Sequence, residues 1–303
     1  MLKFFIEALS ERGVAFSLDE AMSLHTSFKI GGRADVFVCP KSCEELSFVL
    51  NQANKYSILL FVLGKGSNIL VSDSGIEGAV VNLSLLDGIQ INENEIICES
   101  GAHLSKVCNA ALENSLTGLE FAFGIPGSVG GALYMNAGAY GGEMSQVVKG
   151  AYCMDNEGNT FYIPKEEMEL GYRNSIFKTN GLIITSIIFS LSKGKKEEIK
   201  DKMEQLMARR KDKQPLEYPS AGSTFKRPQG NFAGTLIEQN GLKGLTVGGA
   251  QVSEKHAGFV INIGDATCKN VKELIEKIKN TVYENSGILL ETEVIFVGRG
   301  DNI

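Results

Sequence analysis

Two glycine-rich segments have the residue types and spacing that suit binding of a charged ligand. Gly64-Lys65-Gly66-Ser67-Asn68 follows an apolar run, and Gly124-Ile125-Pro126-Gly127-Ser128-Val129-Gly130-Gly131 lies further along the chain. Glycines and small polar residues let backbone N–H groups converge on an anion. The first segment is neither a Walker loop nor a G-x-G-x-x-G fingerprint, because Ile69 takes the place of the third glycine. By itself it is explained equally well as a tight turn.

A third segment of the same style, Asn136-Ala137-Gly138-Ala139-Tyr140-Gly141-Gly142, follows after a short apolar link. A glycine-rich crossover between strands would also explain the last two segments. Three such segments in one chain favour a large anionic cofactor with a planar ring system.

The composition is that of an ordinary globular protein. The 303 residues are 43% hydrophobic and 22% charged, with a formal net charge of −6. This charge argues against a general binder of nucleic acid or of anionic membranes. The six cysteines form no C-x-x-C pair and no metal-ligand spacing, so we expect buried, reduced thiols and no metal. The first thirteen residues read as an amphipathic helix rather than a secretory signal, which predicts a cytoplasmic protein.

Helical and strand-like patterns alternate along the chain and predict an α+β fold. Helices are expected over five stretches: Met1–Gly13, Ser42–Ala53 with a capping box, Leu104–Leu112, Glu197–Arg210 and Val271–Val282. Short strands are expected over six: Ile58–Leu63, Ala79–Leu83, Gly88–Ile91, Glu95–Cys98, pieces of Ala151–Leu191, and Thr292–Val297. The eight glycines between Gly118 and Gly142 argue against any regular element there. A domain boundary is expected near Gly194.

Several strings together resemble the UDP-N-acetylenolpyruvoylglucosamine reductase family. They are LGKGSN (63–68), GIPGSVGGALYMNAGAYGG (124–142), GYRNS (171–175), AGSTFKRP (221–228), LKGLTVGGAQVSEKHAGFVIN (242–262) and LETEV (290–294). They occur in the order of the family and cover nearly the whole chain from His25. The compact stretch from Arg173 to Ser223 resembles the family's shorter type, which lacks an inserted loop with a tyrosine that closes over the substrate.

The resemblance implies a fold, a cofactor and a reaction. Two FAD-binding subdomains of the vanillyl-alcohol-oxidase type would span residues 1–87 and 88–194, and a substrate-binding domain would span residues 195–303. The implied enzyme is an FAD-dependent oxidoreductase that reduces UDP-N-acetylglucosamine enolpyruvate to UDP-N-acetylmuramate with NADPH, in peptidoglycan precursor synthesis. Its partners would be the nucleotide sugar and NADPH, with no nucleic acid, membrane or obligate protein partner. Residues 65–73 contain no His or Cys to tether a flavin, which favours non-covalent FAD.

The implied reaction needs a cation, a hydrogen-bond partner for the enolic carboxylate and a proton donor, and the resemblance assigns these roles to Arg173, Glu293 and Ser223 respectively. Arg173 would meet the substrate carboxylate through two parallel N–H donors. Ser223 would donate a proton to a carbanion, and Lys226 or Arg227 would stabilise the alkoxide. Without the family, these residues read as a surface arginine, a loop serine and a solvated glutamate. Strand alternation places Glu291 on the same face as Glu293, so the pattern alone leaves the choice open.

The resemblance also assigns binding residues. Cofactor contacts are expected from Gly64, Lys65, Gly66, Ser67, Asn68, Gly127, Ser128, Gly131, Asn136 and Ala139. Substrate contacts are expected from Tyr140, Lys213, Arg227 and Lys243. Arg209-Arg210-Lys211 reads as a solvated helix end, and the three histidines read as structural, with His256 a weaker candidate for substrate contact.

Two other functions remain possible from the residues. A flavin oxidase or dehydrogenase acting on a small alcohol would use the glycine loops, but not Arg173, Ser223 and Glu293 together. A silent flavin- or nucleotide-sugar-binding module would leave the acid, the cation and the carboxylate without a role. Oxidation of NADPH with and without the enolpyruvyl substrate separates these alternatives.

Overall fold

The computed structural model describes residues 1–300 and divides into two compact units. The first unit consists of Met1–Ser17, Val36–Lys65 and Gly78–Arg210. The second consists of Leu18–Asp35, Gly66–Glu77 and the chain from Lys211 onward. Each unit is therefore assembled from segments that are distant in sequence. The three-part division at residues 87 and 194 stays a prediction.

The helices and strands are short and alternate along the chain. The α-helices are α1 Leu2–Arg12, α2 Cys43–Lys55, α3 Leu104–Glu113, α4 Val129–Tyr134, α5 Lys196–Lys213, α6 Ala233–Gln239 and α7 Cys268–Ser286. The first nine strands are β1 Phe16–Ala21, β2 Arg33–Val38, β3 Leu60–Leu63, β4 Ile69–Val71, β5 Ile76–Asn82, β6 Ile89–Asn92, β7 Glu95–Glu99, β8 Leu116–Thr117 and β9 Gly138–Ala139. The others are β10 Gly142–Glu143, β11 Val148–Met154, β12 Thr160–Pro164, β13 Ile183–Ser190, β14 Ser192–Lys193, β15 Thr246–Val247, β16 Ala250–Val252, β17 Val260–Asn262 and β18 Ile295–Val297.

A four-stranded sheet in the order β1-β2-β5-β3 packs with α1 and α2, and β3 runs parallel to β5. Phe5 and Leu9 of α1 are fully buried, as the amphipathic pattern predicts. The predicted capping box of α2 forms only in part. The Ser42 side chain accepts from the Glu45 N–H at 3.2 Å, but the Glu45 carboxylate accepts from the Lys41 N–H at 3.0 Å instead of from Ser42.

A five-stranded antiparallel sheet in the order β12-β11-β13-β7-β6 carries the second core of the first unit. Its inner face packs against α3 and α4 through fully buried Val107, Leu133, Ile187 and Phe189. The helix α4 corrects the expectation of no regular element between Gly118 and Gly142. Burial of its apolar side chains outweighs the low helix propensity of its glycines.

The second unit combines a three-stranded sheet, β15-β16-β17, with α6 and α7 around a third core. The helix α7 begins with a complete capping box at Thr267. The Asp73 carboxylate also accepts from the N–H groups of Cys268 and Lys269, at 2.7 and 3.0 Å. Asp73 follows β4, which pairs in parallel with β18. The start of α7 is therefore fixed to the chain that follows the first glycine segment.

The cysteines do not all follow the predicted burial. Four are buried, namely Cys98, Cys108, Cys153 and Cys268, but Cys39 is only half-buried and Cys43 is exposed. Cys43 is the first residue of α2, outside the apolar face of that helix. Burial raises the pKa of Cys153 to about 12, which keeps this thiol protonated and unreactive. Within residues 1–300, no helix combines the length and apolar character needed to cross a bilayer.

Candidate active site

The first and second glycine segments meet in the first unit. Gly64 follows β3, and a Cβ atom on this residue would collide with the Ser128 hydroxyl. The Gly64 carbonyl accepts from the Asn82 side chain at 3.1 Å. Ser128 in turn caps α4 by accepting from the Gly131 N–H at 3.3 Å, and the Gly127 carbonyl accepts from the Leu104 N–H at 3.2 Å. The close approach at Gly64 thus depends on the absence of a side chain.

Lys65, Lys106 and His103 lie close to one another near this meeting point, together with Asp87. Burial lowers the pKa of Lys65, nearby Lys106 lowers it further, and Asp87 acts in the opposite direction. The pKa of His103 is lowered first by burial and then by Lys65 and Lys106. His103 also forms a backbone bridge with Ser128. Lys65 and Lys106 disfavour each other's charged forms, so an anion bound beside Lys65 would favour its charged form.

The first glycine segment continues into the second unit at Gly66. This residue has φ +60°, and a Cβ there would collide with the His25 carbonyl. The Ser27 N–H donates to the Gly66 carbonyl at 3.1 Å. Ser67 is half-buried. The Asn68 side chain donates to the Glu293 carbonyl at 3.2 Å, which joins this segment to the chain that leads into β18.

Asn136 has a different position from the one expected of a simple cofactor contact. Its side chain is buried, donates to the Gly171 carbonyl at 2.9 Å and accepts from the Ser145 N–H at 2.9 Å. It therefore ties the third glycine segment to the GYRNS segment. Half-buried Ala139 lies in β9, which pairs with β10. Direct contact of Asn136 and Ala139 with the cofactor stays a prediction.

Arg173 lies in a turn closed by reciprocal backbone hydrogen bonds between Gly171 and Asn174, each 3.1 Å. Its own φ is +53°, and Asn136 and Tyr140 also have positive φ values. Such left-handed conformations of non-glycine residues cost about 1–3 kcal/mol each and cluster at functional sites. The guanidinium lies 5.1 Å from the centre of the Tyr172 ring and donates to the Gly138 carbonyl at 3.4 Å.

Ser223 and Glu293 lie on two segments that pair with each other in the second unit. The Glu293 N–H donates to the Thr224 carbonyl at 2.9 Å, and Phe225 and Thr292 form an antiparallel bridge. The Ser223 hydroxyl donates to the Phe225 carbonyl at 3.2 Å. The structure therefore pairs the backbones of two segments that carry Ser223 and Glu293, which are 70 positions apart in the sequence.

The two candidate glutamates differ in their surroundings. Glu291 is exposed and its carboxylate pairs with the Lys226 ammonium at 3.0 Å, whereas Glu293 is half-buried. Lys226 is thus paired with a carboxylate, and its role toward an alkoxide stays a prediction. The sequence pattern could not make this distinction, because it contains no information on the partner of Glu291.

The expected substrate-binding cations have local partners as well. Lys213, the last residue of α5, pairs with Asp212 at 3.1 Å, and Lys243 pairs with Glu238 at 2.6 Å. The Arg227 guanidinium lies 4.0 Å from the centre of the Phe232 ring. A bound diphosphate would have to replace or share these partners. Exposed ion pairs contribute about 0–1 kcal/mol, so the exchange is energetically modest.

The expectation of a solvated helix end at Arg209-Arg210-Lys211 is wrong for Arg210, whereas Arg209 and Lys211 are exposed. Burial lowers the pKa of Arg210, whose side chain packs against Gly124. The Arg209 guanidinium lies 5.1 Å from the centre of the Tyr140 ring. Helical spacing from buried Met203 through Met207 leads to Arg210, and this signal could have identified its position on the inner face of α5.

Comparison with known proteins identifies the family. The profile of the UDP-N-acetylenolpyruvoylglucosamine reductase C-terminal domain matches residues 214–297, and that of an FAD binding domain matches residues 34–163. A UDP-N-acetylenolpyruvoylglucosamine reductase from Clostridium novyi is 54% identical over 91% of this chain and 90% of its own length. One from Clostridium tetani is 49% identical over 97% of this chain and 95% of its own length. The chain belongs to the UDP-N-acetylenolpyruvoylglucosamine reductase family.

Solved structures agree with this membership. The UDP-N-acetylenolpyruvylglucosamine reductase of Thermus caldophilus matches with a TM-score of 0.79 and 33% identity, over 93% of this chain and 98% of that chain. A berberine bridge enzyme variant matches with a TM-score of 0.50 and 18% identity, over 63% of this chain and 44% of that chain, which shows the fold alone. The predicted family, the α+β flavin-binding fold of the vanillyl-alcohol-oxidase type and the FAD-dependent oxidoreductase class are confirmed.

The glycine segments of this family member fit FAD. A diphosphate would fit the meeting point of Gly64 and Ser128, because Gly64 has no side chain there and Lys65 follows it with a positive charge; contact of these residues with FAD stays a prediction. We expect the purified protein to be yellow, and we expect acid precipitation to release intact FAD into the supernatant, measured by absorbance and fluorescence. Flavin that stays with the precipitated protein would contradict non-covalent binding.

Proposed function

We propose that this chain reduces UDP-N-acetylglucosamine enolpyruvate to UDP-N-acetylmuramate with NADPH, the reaction of its family in peptidoglycan precursor synthesis. Family membership supports the proposal as a whole. The structural observation that carries it is the pairing of the Ser223 and Glu293 segments, with the Glu293 N–H 2.9 Å from the Thr224 carbonyl. This pairing holds the segment of the proposed proton donor beside the segment of the proposed hydrogen-bonding carboxyl group.

The substrate is an enol ether with a carboxylate. Bound FAD supplies hydride transfer from NADPH to the terminal vinyl carbon. The protein has to hold the substrate carboxylate, stabilise the negative charge that develops on the neighbouring carbon, and deliver a proton there. Electrostatic stabilisation by groups already in place is the largest of these contributions in many enzymes.

Three side chains carry these tasks in our proposal. Arg173 binds the carboxylate, because a guanidinium is permanently charged and offers two parallel donors. Ser223 donates the proton, because a carbanion next to a carboxylate is basic enough to take one from an ordinary hydroxyl. Glu293 hydrogen-bonds the enolic carboxylate as a protonated acid.

The nucleotide part of the substrate is assigned to Tyr140, Lys213, Arg227 and Lys243. Their cationic and aromatic side chains suit a diphosphate and a uracil ring. We also propose that the protein works in the cytoplasm, where NADPH and nucleotide sugars are available, and that it needs no obligate protein partner.

Turnover with the enolpyruvyl nucleotide sugar tests this function. We expect NADPH oxidation, followed at 340 nm without oxygen, to depend on that substrate and to yield one UDP-N-acetylmuramate per NADPH consumed. UDP-N-acetylglucosamine, which lacks the enolpyruvyl group, is the matched control and should give no turnover. An enzyme that oxidises a small alcohol and ignores the enolpyruvyl substrate would refute the proposal.

A further inference from the structure

The backbone of Arg173 needs support from its surroundings. Its φ of +53° lies in the left-handed region, which is unfavourable for a residue with a branched or long side chain. Such a conformation persists only when neighbouring groups hold it in place. The turn has reciprocal hydrogen bonds between Gly171 and Asn174, and the Asn136 side chain donates to the Gly171 carbonyl at 2.9 Å.

Lys178 contacts the strained residue itself. Its ammonium donates to the Arg173 carbonyl at 2.6 Å, across five positions of the chain. A charged donor makes a stronger hydrogen bond to a carbonyl than a neutral one does. Lys178 is half-buried, which reduces competition from water for this contact.

The base of Lys178 is itself fixed to the core. Lys178 ends a one-turn 3₁₀ helix, Ile176–Lys178, in which Phe177 is buried. The Ser175 hydroxyl, just before this turn, donates to the Tyr134 carbonyl at 2.7 Å, and the Lys178 ammonium lies 5.8 Å from the centre of the Tyr134 ring. Tyr134 is the last residue of α4, the helix that Ser128 caps. A continuous set of contacts therefore runs from the second glycine segment to the Arg173 carbonyl.

We propose that Lys178 is a positioning residue that holds the Arg173 turn, so that the guanidinium is already oriented when the substrate carboxylate arrives. This inference rests on the proposed function, because it assigns Lys178 a role through Arg173 and none in contact with substrate. A misplacement of about 1 Å can slow an enzymatic reaction by about 10²-fold, so a loosened turn has a measurable effect.

The test is a double-mutant cycle measured by stopped flow on FAD-loaded protein. Lys178→Met keeps an unbranched apolar side chain of nearly the same length and removes the donor. We expect it to slow reoxidation of the reduced enzyme by the enolpyruvyl substrate about 10- to 100-fold, while reduction by NADPH stays close to wild type. In an Arg173→Ala background, Lys178→Met should have no further effect, because Lys178 acts only through Arg173. Lys178→Arg, which keeps a charged donor, should restore most of the rate.

Controls separate this effect from general destabilisation. Lys200→Met removes an exposed lysine of α5 and should match wild type in both half-reactions. Flavin content and melting temperature check each variant. If Lys178→Met does not retain FAD, the same cycle is measured with Lys178→Gln, which keeps a neutral donor and should give a smaller loss in the same half-reaction.

Each other outcome overturns the inference. If Arg173→Ala slows reoxidation by the enolpyruvyl substrate and the Lys178 variant does not, the role of Lys178 is refuted and the role of Arg173 stands. An undiminished effect of the Lys178 variant in the Arg173→Ala background would show that Lys178 acts independently of Arg173. A wild-type rate for Arg173→Ala would refute the proposed role of Arg173 and this inference together, while NADPH turnover with the substrate would remain a separate test of the function.

Discussion

Replacing Ser223 by alanine should leave reduction of the enzyme by NADPH nearly unchanged and slow its reoxidation by the enolpyruvyl substrate at least about 10²–10⁴-fold, the usual contribution of general acid catalysis. The first half-reaction does not use the Ser223 proton, whereas the carbanion formed in the second has no other assigned acid. Stopped-flow absorbance at 450 nm follows both steps in one enzyme preparation.

The surroundings of Ser223 make this substitution interpretable. Its hydroxyl donates to the Phe225 carbonyl, an interaction within its own loop, so alanine removes one local hydrogen bond and leaves the pairing of Thr224 with Glu293 intact. Loss of such a bond costs about 0.5–1.5 kcal/mol, which a folded domain tolerates. If the variant instead blocked reduction by NADPH and spared reoxidation by substrate, the proton-donor role of Ser223 would be wrong.

Helix positions were the part of the fold that the sequence predicted best. The apolar repeats of α1, α3, α5 and α7 gave each helix within a few residues of its observed ends, because burial of one face is what stabilises these helices. The error at α4 has the same physical origin. The burial of α4 in the core outweighs the low helix propensity of its glycines. A single sequence does not show which short glycine-rich segments become buried.

Contacts between distant segments were the part that residue patterns could not supply. Asp73 fixes the start of α7 from 195 positions away, and nothing in its neighbourhood in the sequence indicates this partner. The Lys178 contact with the Arg173 carbonyl spans only five positions, but it depends on the left-handed backbone conformation of Arg173. A non-glycine residue in the sequence does not indicate such a conformation. The resemblance named Arg173 through its motif, and only the structure shows what holds it.

The choice between Glu291 and Glu293 shows the same limit on a smaller scale. Strand alternation places both on one face, and the resemblance alone selected Glu293. In the structure, Glu291 is exposed and paired with Lys226, and the segment at Glu293 is held by both Thr224 and Asn68. Because the two residues have the same side chain but different burial and partners, the same substitution at each position can be compared directly.

Glu293→Gln should slow reoxidation of the reduced enzyme by the enolpyruvyl substrate about 10²-fold or more, the lower end of the loss expected when one donor to a developing oxyanion is weakened. The amide keeps the size of the side chain, but its N–H is a weaker hydrogen-bond donor than a carboxylic acid toward the enolic carboxylate. Glu291→Gln makes the same substitution two residues away and breaks an exposed ion pair with Lys226 worth about 0–1 kcal/mol, so it should match wild type in both half-reactions. The comparison requires equal flavin content and equal reduction rates with NADPH in both variants. Equal slowing by the two substitutions would indicate an effect that is not specific to Glu293, and slowing by Glu291→Gln alone would move the catalytic assignment to Glu291.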